Sequence, residues 1–284
     1  MQYNTIQYDT MATSSTLTTD GSNGNVDQNS RNDIMYRPAR PKVGNCGHFL
    51  ILSLPILAMT FTLAFLIVLL MFDRDKKQQD SYLGSINEDT VSFIMSEYEP
   101  YTEIIALSSV ACLLVSLVTV ARNIQIGVYH KRNGQSISMC MKVVNYIAAI
   151  VNILSYIGLI IAVAFKVTQE DPSWARQAHF IGALTFFAGT AIYALLHSVL
   201  LWNQTQYPLI VKNLFLIFAI VIVVCSLAFA IPILMTGLSE EETQPVFEWV
   251  AIFMTAIHIG FFAVLFHIDP VDDELIEFFC RLSM

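Results

Sequence analysis

Charge is what this sequence has least of. Lys, Arg, Asp and Glu make up 13% of its 284 residues, where a soluble domain carries roughly 25%. With 55% hydrophobic residues beside it, that scarcity excludes an ordinary soluble domain and implies a membrane protein. The chain has five cysteines and no pair of them at zinc-ligand spacing. It also lacks a Gly-rich phosphate loop and a Gly-x-Ser-x-Gly nucleophile elbow. Its apolar segments carry no runs of acidic or basic residues of the kind that build a proton relay or a voltage sensor. The first three segments do not visibly repeat in the last three, which argues against an inverted-repeat transporter. No catalytic set, cofactor or metal is expected, and nothing in the chain suits nucleic acid.

What is present is a series of apolar runs, each long enough for a bilayer crossing of about 20 residues. Six are expected, over about 49–72, 103–121, 141–165, 178–202, 214–235 and 247–268. The fold class is therefore all-α, a polytopic membrane protein with six transmembrane helices in one bundle. Residues 45–269 form that domain, 1–44 a disordered cytosolic tail and 270–284 a short cytosolic tail. The fourth run, AHFIGALTFFAGTAIYALLHSVLLW, organises the rest. Ala178, Gly182, Thr185 and Gly189 share one helical face, where a neighbouring helix can approach closely. His179, Phe186, Tyr193 and His197 form a second stripe, polar at its ends.

Orientation follows from the basic residues. With the N-terminus inside, ten Lys and Arg fall on the inner side and five on the outer, which places both termini in the cytosol. No cysteine then lies in an outer loop, so a disulfide framework is excluded. Cys46, Cys140 and Cys280 sit near the inner face, as reversible acylation sites or as ordinary free thiols. In the N-terminal tail, Tyr3-Asn-Thr-Ile6 and Tyr8-Asp-Thr-Met11 have the tyrosine-x-x-bulky-apolar form of clathrin-adaptor signals, set against a reading as plain disordered tail. After Pro270, Leu275, Ile276, Phe279 and Leu282 form a short apolar face for the inner leaflet, opposed by the acidic run Asp272–Glu274.

Ionisable groups inside membranes are costly and so are candidates for function. Glu103, His179 and Glu248 open the second, fourth and sixth spans, at similar depth in the outer leaflet. They suit acid/base or metal chemistry, or a structural polar cluster at helix N-termini, where the dipole favours acids. The second reading is the one expected. Arg122, His130, Lys131 and Arg132 form an inner basic patch, for anionic headgroups or as topological signal alone. His197 is grouped with His130, Lys142, Asn145, Trp202 and His267, and Trp202 and Tyr207 read as interfacial belt residues. Asn145 and Asn152 lie on one face of the third span, for interhelical hydrogen bonding; Gly158, Gly182 and Gly189 serve packing.

The pattern resembles the damage-regulated autophagy modulator family and its Frag and Sfk relatives, six-span proteins with a CWH-type N-terminal domain. The resemblance covers about residues 49–269. It rests on Ala121-Arg122, on Asn145–Phe165 with Asn152 and Gly158, on His179 through Gly182, Ala183, Gly189 and Tyr193, and on Glu248-Trp249. The family's first outer loop usually has Pro-Glu followed by aromatic-Gly; this chain has Glu99-Pro100, then Tyr101 and Glu103. The resemblance implies a non-enzymatic regulator of endolysosomal or plasma membranes in autophagy, acting through lipid or protein contacts. Its partners would be membrane lipids, sorting adaptors or another membrane protein. Other branches imply GPI-anchor lipid remodelling in the secretory pathway, or control of phosphoinositide kinase recruitment or lipid asymmetry at the plasma membrane.

The topology has a direct check. The sequon Asn203-Gln-Thr205 falls in an inner loop, so digestion with a glycosidase is expected to leave the protein's gel mobility unchanged.

Overall fold

The computed structural model describes residues 45–79, 101–132, 138–165, 173–236 and 245–270, and among them it contains helices and no strand. The helices are α1 (Asn45–Gln79), α2 (Tyr101–Arg132), α3 (Met139–Ala164), α4 (Ser173–Trp202), α5 (Leu209–Thr236), α6 (Pro245–Gly260) and α7 (Phe262–Ile268). Six segments are long and apolar enough to cross a membrane, the sixth combining α6 and α7. An apolar medium offers no partner to a bare peptide group, so each crossing closes its own backbone bonds as a helix. Serine and threonine fit the same scheme. Thr60, Thr62, Ser116, Thr119 and Thr190 each turn a hydroxyl back onto the carbonyl one turn earlier. Pro55 is buried within α1 and does not end it.

Two boundaries differ from the sequence expectation. The second span, expected to stop near Ala121, continues as α2 to Arg132. A charged residue ends a span when its charge has to reach water, whereas Arg122 is satisfied inside the protein. The fourth starts earlier, at Ser173, so His179 lies nearly two turns inside α4 and not in its first turn.

Each long helix packs on the next in sequence, and α6 and α7 return to pack on α1. The closest approach is between α3 and α4. A Cβ added to Gly182 would stand 2.6 Å from Ala162 N and Gly158 O, and one at Gly158 would stand 2.8 Å from Gly182 O. Further along α4, a Cβ at Gly189 would meet Ser155 Cβ at 2.5 Å. The small-residue face of α4 is thus spent within this chain, on α3. With no hydrophobic drive between helices in lipid, such contact supplies the dispersion energy that holds the pair together. The outer surface is the reverse: Leu113, Ile150, Leu154, Ile181, Val199 and Ile217 are exposed, as a lipid-facing surface requires.

Two glycines separate packing from propensity. Gly182→Ala forces backbone against backbone and is expected to destabilise by about 1–3 kcal/mol. Gly127, where an added Cβ meets nothing within 4 Å, is expected to gain about 0.5–1 kcal/mol on changing to Ala. Thermal unfolding of the two variants in detergent is expected to move in opposite directions.

Candidate functional site

The most unusual side chain is Arg122, on α2, which is 1% exposed. A buried guanidinium must place its N–H groups on acceptors or carry a heavy desolvation cost. Four of its bonds are made. Nε donates to His197 Nε2 at 3.1 Å, Nη1 to Gln125 Oε1 at 2.6 Å and to Tyr207 OH at 3.1 Å, and Nη2 to Gln204 Oε1 at 3.1 Å. The guanidinium also lies 5.4 Å from the centre of the Tyr207 ring. Among the described residues, none of these partners is a carboxylate. Burial pushes the Tyr207 phenol above its ordinary pKa against the opposing pull of Arg122, so the phenol keeps its proton and accepts as a neutral group.

These bonds join four parts of the chain: α2, the inward face of α4, the 203–208 turn, and the end of α7. Gln125 carries the link to α7, its amide donating to Leu265 O at 3.1 Å and to Asp269 O. Gln206 Nε2 donates to the Asp269 carboxylate at 3.1 Å. Tyr129 and Thr205 join α2 to the turn once more, hydroxyl to hydroxyl at 3.0 Å. All of this lies at the end of the bundle that carries the start of α1 and the end of α7.

Because His197 Nε2 accepts from Arg122, the imidazole is neutral with its proton on Nδ1. The ring sits among aromatic rings, with centres 4.7 Å from Phe262, 5.2 Å from Phe215 and 5.7 Å from His258. Between α2 and α3, Asn123 and Asn145 each donate Nδ2 to the other's backbone carbonyl at 3.1 Å. Deeper in, Asn152 Nδ2 donates to Thr119 Oγ1 at 2.6 Å.

At the opposite end, His179 is buried and its Nδ1 lies 2.7 Å from Ala162 O and 3.0 Å from Phe165 O. It serves the carbonyls that the end of α3 leaves without helical partners. Glu248, in the first turn of α6, is 2% exposed and lines a cavity with Thr62, Ser108, Tyr156, Phe186 and Ile252. That cavity is about 30 Å³, room for one or two waters. Glu103 lies in the first turn of α2, with its side chain outside the described residues. Among the described residues no three His, Cys, Asp or Glu side chains come together as a metal site would require.

The basic patch expected from sequence loses Arg122 to the interior; the side chains of His130, Lys131 and Arg132, and the segment holding Tyr3, Ile6, Tyr8 and Met11, lie outside the described residues. Of the group expected around His197, Asn145 lines a small cavity together with His197, while Trp202 is exposed and takes Lys212 above its ring at 6.0 Å. Tyr207, read as a belt residue, is buried against Arg122. Gln125, Gln204 and His258 were not singled out by sequence reasoning. A glutamine three residues after a buried arginine on one helix was the only local signal.

A family model described as Frag1/DRAM/Sfk1/Cwh43P N-terminal domain matches residues 47–268. The chain belongs to this family. No curated protein and no solved structure shows a significant match to it. In this Frag1/DRAM/Sfk1-family protein the matched region closes at the last residue of α7. It therefore contains Arg122, its four partners, His179 and Glu248.

Lysine keeps the charge of arginine but not the planar fork that reaches several acceptors at once. Arg122→Lys leaves buried amide and phenol groups unpaired and is expected to destabilise by about 2–4 kcal/mol. Denaturant unfolding of the purified protein measures it, and a loss below about 0.5 kcal/mol, the range of an ordinary surface change, contradicts the network.

Proposed function

We propose that this protein is a multi-pass regulator of the endolysosomal or plasma membrane, resembling autophagy modulators of the DRAM branch, with both termini cytosolic. It acts through lipid or protein contacts and is not an enzyme. The observation that carries this reading is how the described polar side chains are used. Arg122 is taken up by four neutral partners from three parts of the fold, and His179 by the carbonyl end of α3. Such groups set the shape of a bundle. The cavity beside Glu248 is small, about 30 Å³. Membership of the family supplies the membrane setting; the apolar outer surface supplies the means of contact.

The test is rescue in cells lacking the protein. Wild type, Glu248→Gln and Glu103→Gln are each expected to restore autophagic flux equally, from an endolysosomal or surface location. Tyr3→Ala with Tyr8→Ala is expected to shift an endolysosomal pool to the surface. Residence in the ER or Golgi, with altered lipids on GPI-anchored proteins in the carboxylate variants, would replace this reading with anchor remodelling.

A further inference from the structure

We propose that the segment 271–284 folds back as a short amphipathic helix onto an exposed patch formed by the end of α4 and the start of α5, with Asp272 meeting Lys212. That segment lies outside the described residues. Its starting point, its residue pattern and the patch beside it together select this occupant.

The chain leaves the bundle at a fixed place. Asp269 caps α7; its carboxylate accepts from Gln206 Nε2 at 3.1 Å, and its backbone carbonyl accepts from Gln125. Pro270 follows, with no N–H to continue the helix. Residue 271 therefore starts beside the 203–208 turn. Three residues span at most about 10 Å, so Asp272 stays close to that turn.

The patch flanks the same turn. Val199 and Trp202 at the end of α4, and Leu209 and Ile210 at the start of α5, are exposed. Lys212 lies against Trp202, with Nζ donating to Trp202 O at 3.2 Å and standing 6.0 Å from the centre of its ring. That hydrogen bond uses one of the three N–H groups of the ammonium. An apolar patch holding a cation is complemented by an apolar partner that carries an acid.

The segment has that form. Asp272, Leu275, Ile276, Phe279 and Leu282 fall at i, i+3, i+4, i+7 and i+10, which is one face of a helix headed by an acid. An acid in the first turn also suits the helix dipole. Asp273, Glu274 and Glu277 lie off that face, and Arg281 is the one base of the segment. Helices that bind anionic leaflets carry basic polar faces. This acidic one is repelled there, so charge favours the lysine of the protein over the membrane surface.

The test is hydrogen–deuterium exchange of the full-length protein in phosphatidylcholine nanodiscs, read on peptides covering 275–282. Amides there are expected to exchange about tenfold or more slowly than in the same segment as a free peptide. Trp202→Ala is expected to remove most of that protection. Lys212→Glu and Asp272→Lys are each expected to speed exchange several-fold, and the two together to restore it, because the pair is rebuilt with its charges exchanged. Asp272 lies outside the bundle, so its variant reads the contact even where Trp202→Ala or Lys212→Glu impairs folding. Exchange at the free-peptide rate in the wild type overturns the proposal. Protection that all three single variants leave unchanged places the segment on lipid or on another copy, and overturns it equally. Failure of the double charge reversal to restore protection overturns the pairing of Asp272 with Lys212.

Discussion

Placing a guanidinium inside a membrane bundle with neutral hydrogen-bond partners constrains everything around it. Arg122 cannot lose its proton, so its cost is met only by acceptors arranged around the plane of the group. Those acceptors come from α2 itself, from α4 and from the turn before α5. Gln125 then draws in the end of α7. One charged group thus fixes the relative positions of four segments at one end of the bundle.

The other half of the membrane is organised differently. There the helices meet by close backbone contact, with Gly158 against Gly182, and His179 closes the end of α3. Packing of this kind is dispersion spread over many atoms and has no single centre. Asn152 with Thr119 between the two regions, and Asn123 with Asn145 beside Arg122, are neutral polar pairs that fix the register of α2 on α3. The described polar groups accordingly serve architecture first. On the proposed reading, a lipid or protein partner would meet a surface whose shape those groups have already set.

Much of the fold was legible in the sequence because apolar length is a local property. Six runs fell where six crossings lie, and the 4-3-4 spacing from Ala178 to Gly189 marked a close-packing face before its partner was known. Arg122 was the instructive miss. Read along the chain, a charge after an apolar run marks a membrane edge, and the span was ended at Ala121. The groups that satisfy it, His197, Gln204 and Tyr207, lie 75, 82 and 85 residues away. No local pattern announces them. His179 was misplaced for a related reason: the helix extends before it through Ser173–Gln177, a polar stretch that apolar periodicity does not register. The carbonyls it meets, Ala162 and Phe165, belong to a different helix.

The fold depends most on Arg122 being held by neutral partners across the bundle, and a double-mutant cycle measures that directly. Arg122→Met, Gln204→Leu and the double variant would be compared by equilibrium unfolding of the purified protein. If the bond between them is as described, the cost of Gln204→Leu shrinks by about 1–2 kcal/mol once Arg122 is gone. If the two losses simply add, Arg122 does not bond to Gln204 and the arrangement described here is wrong.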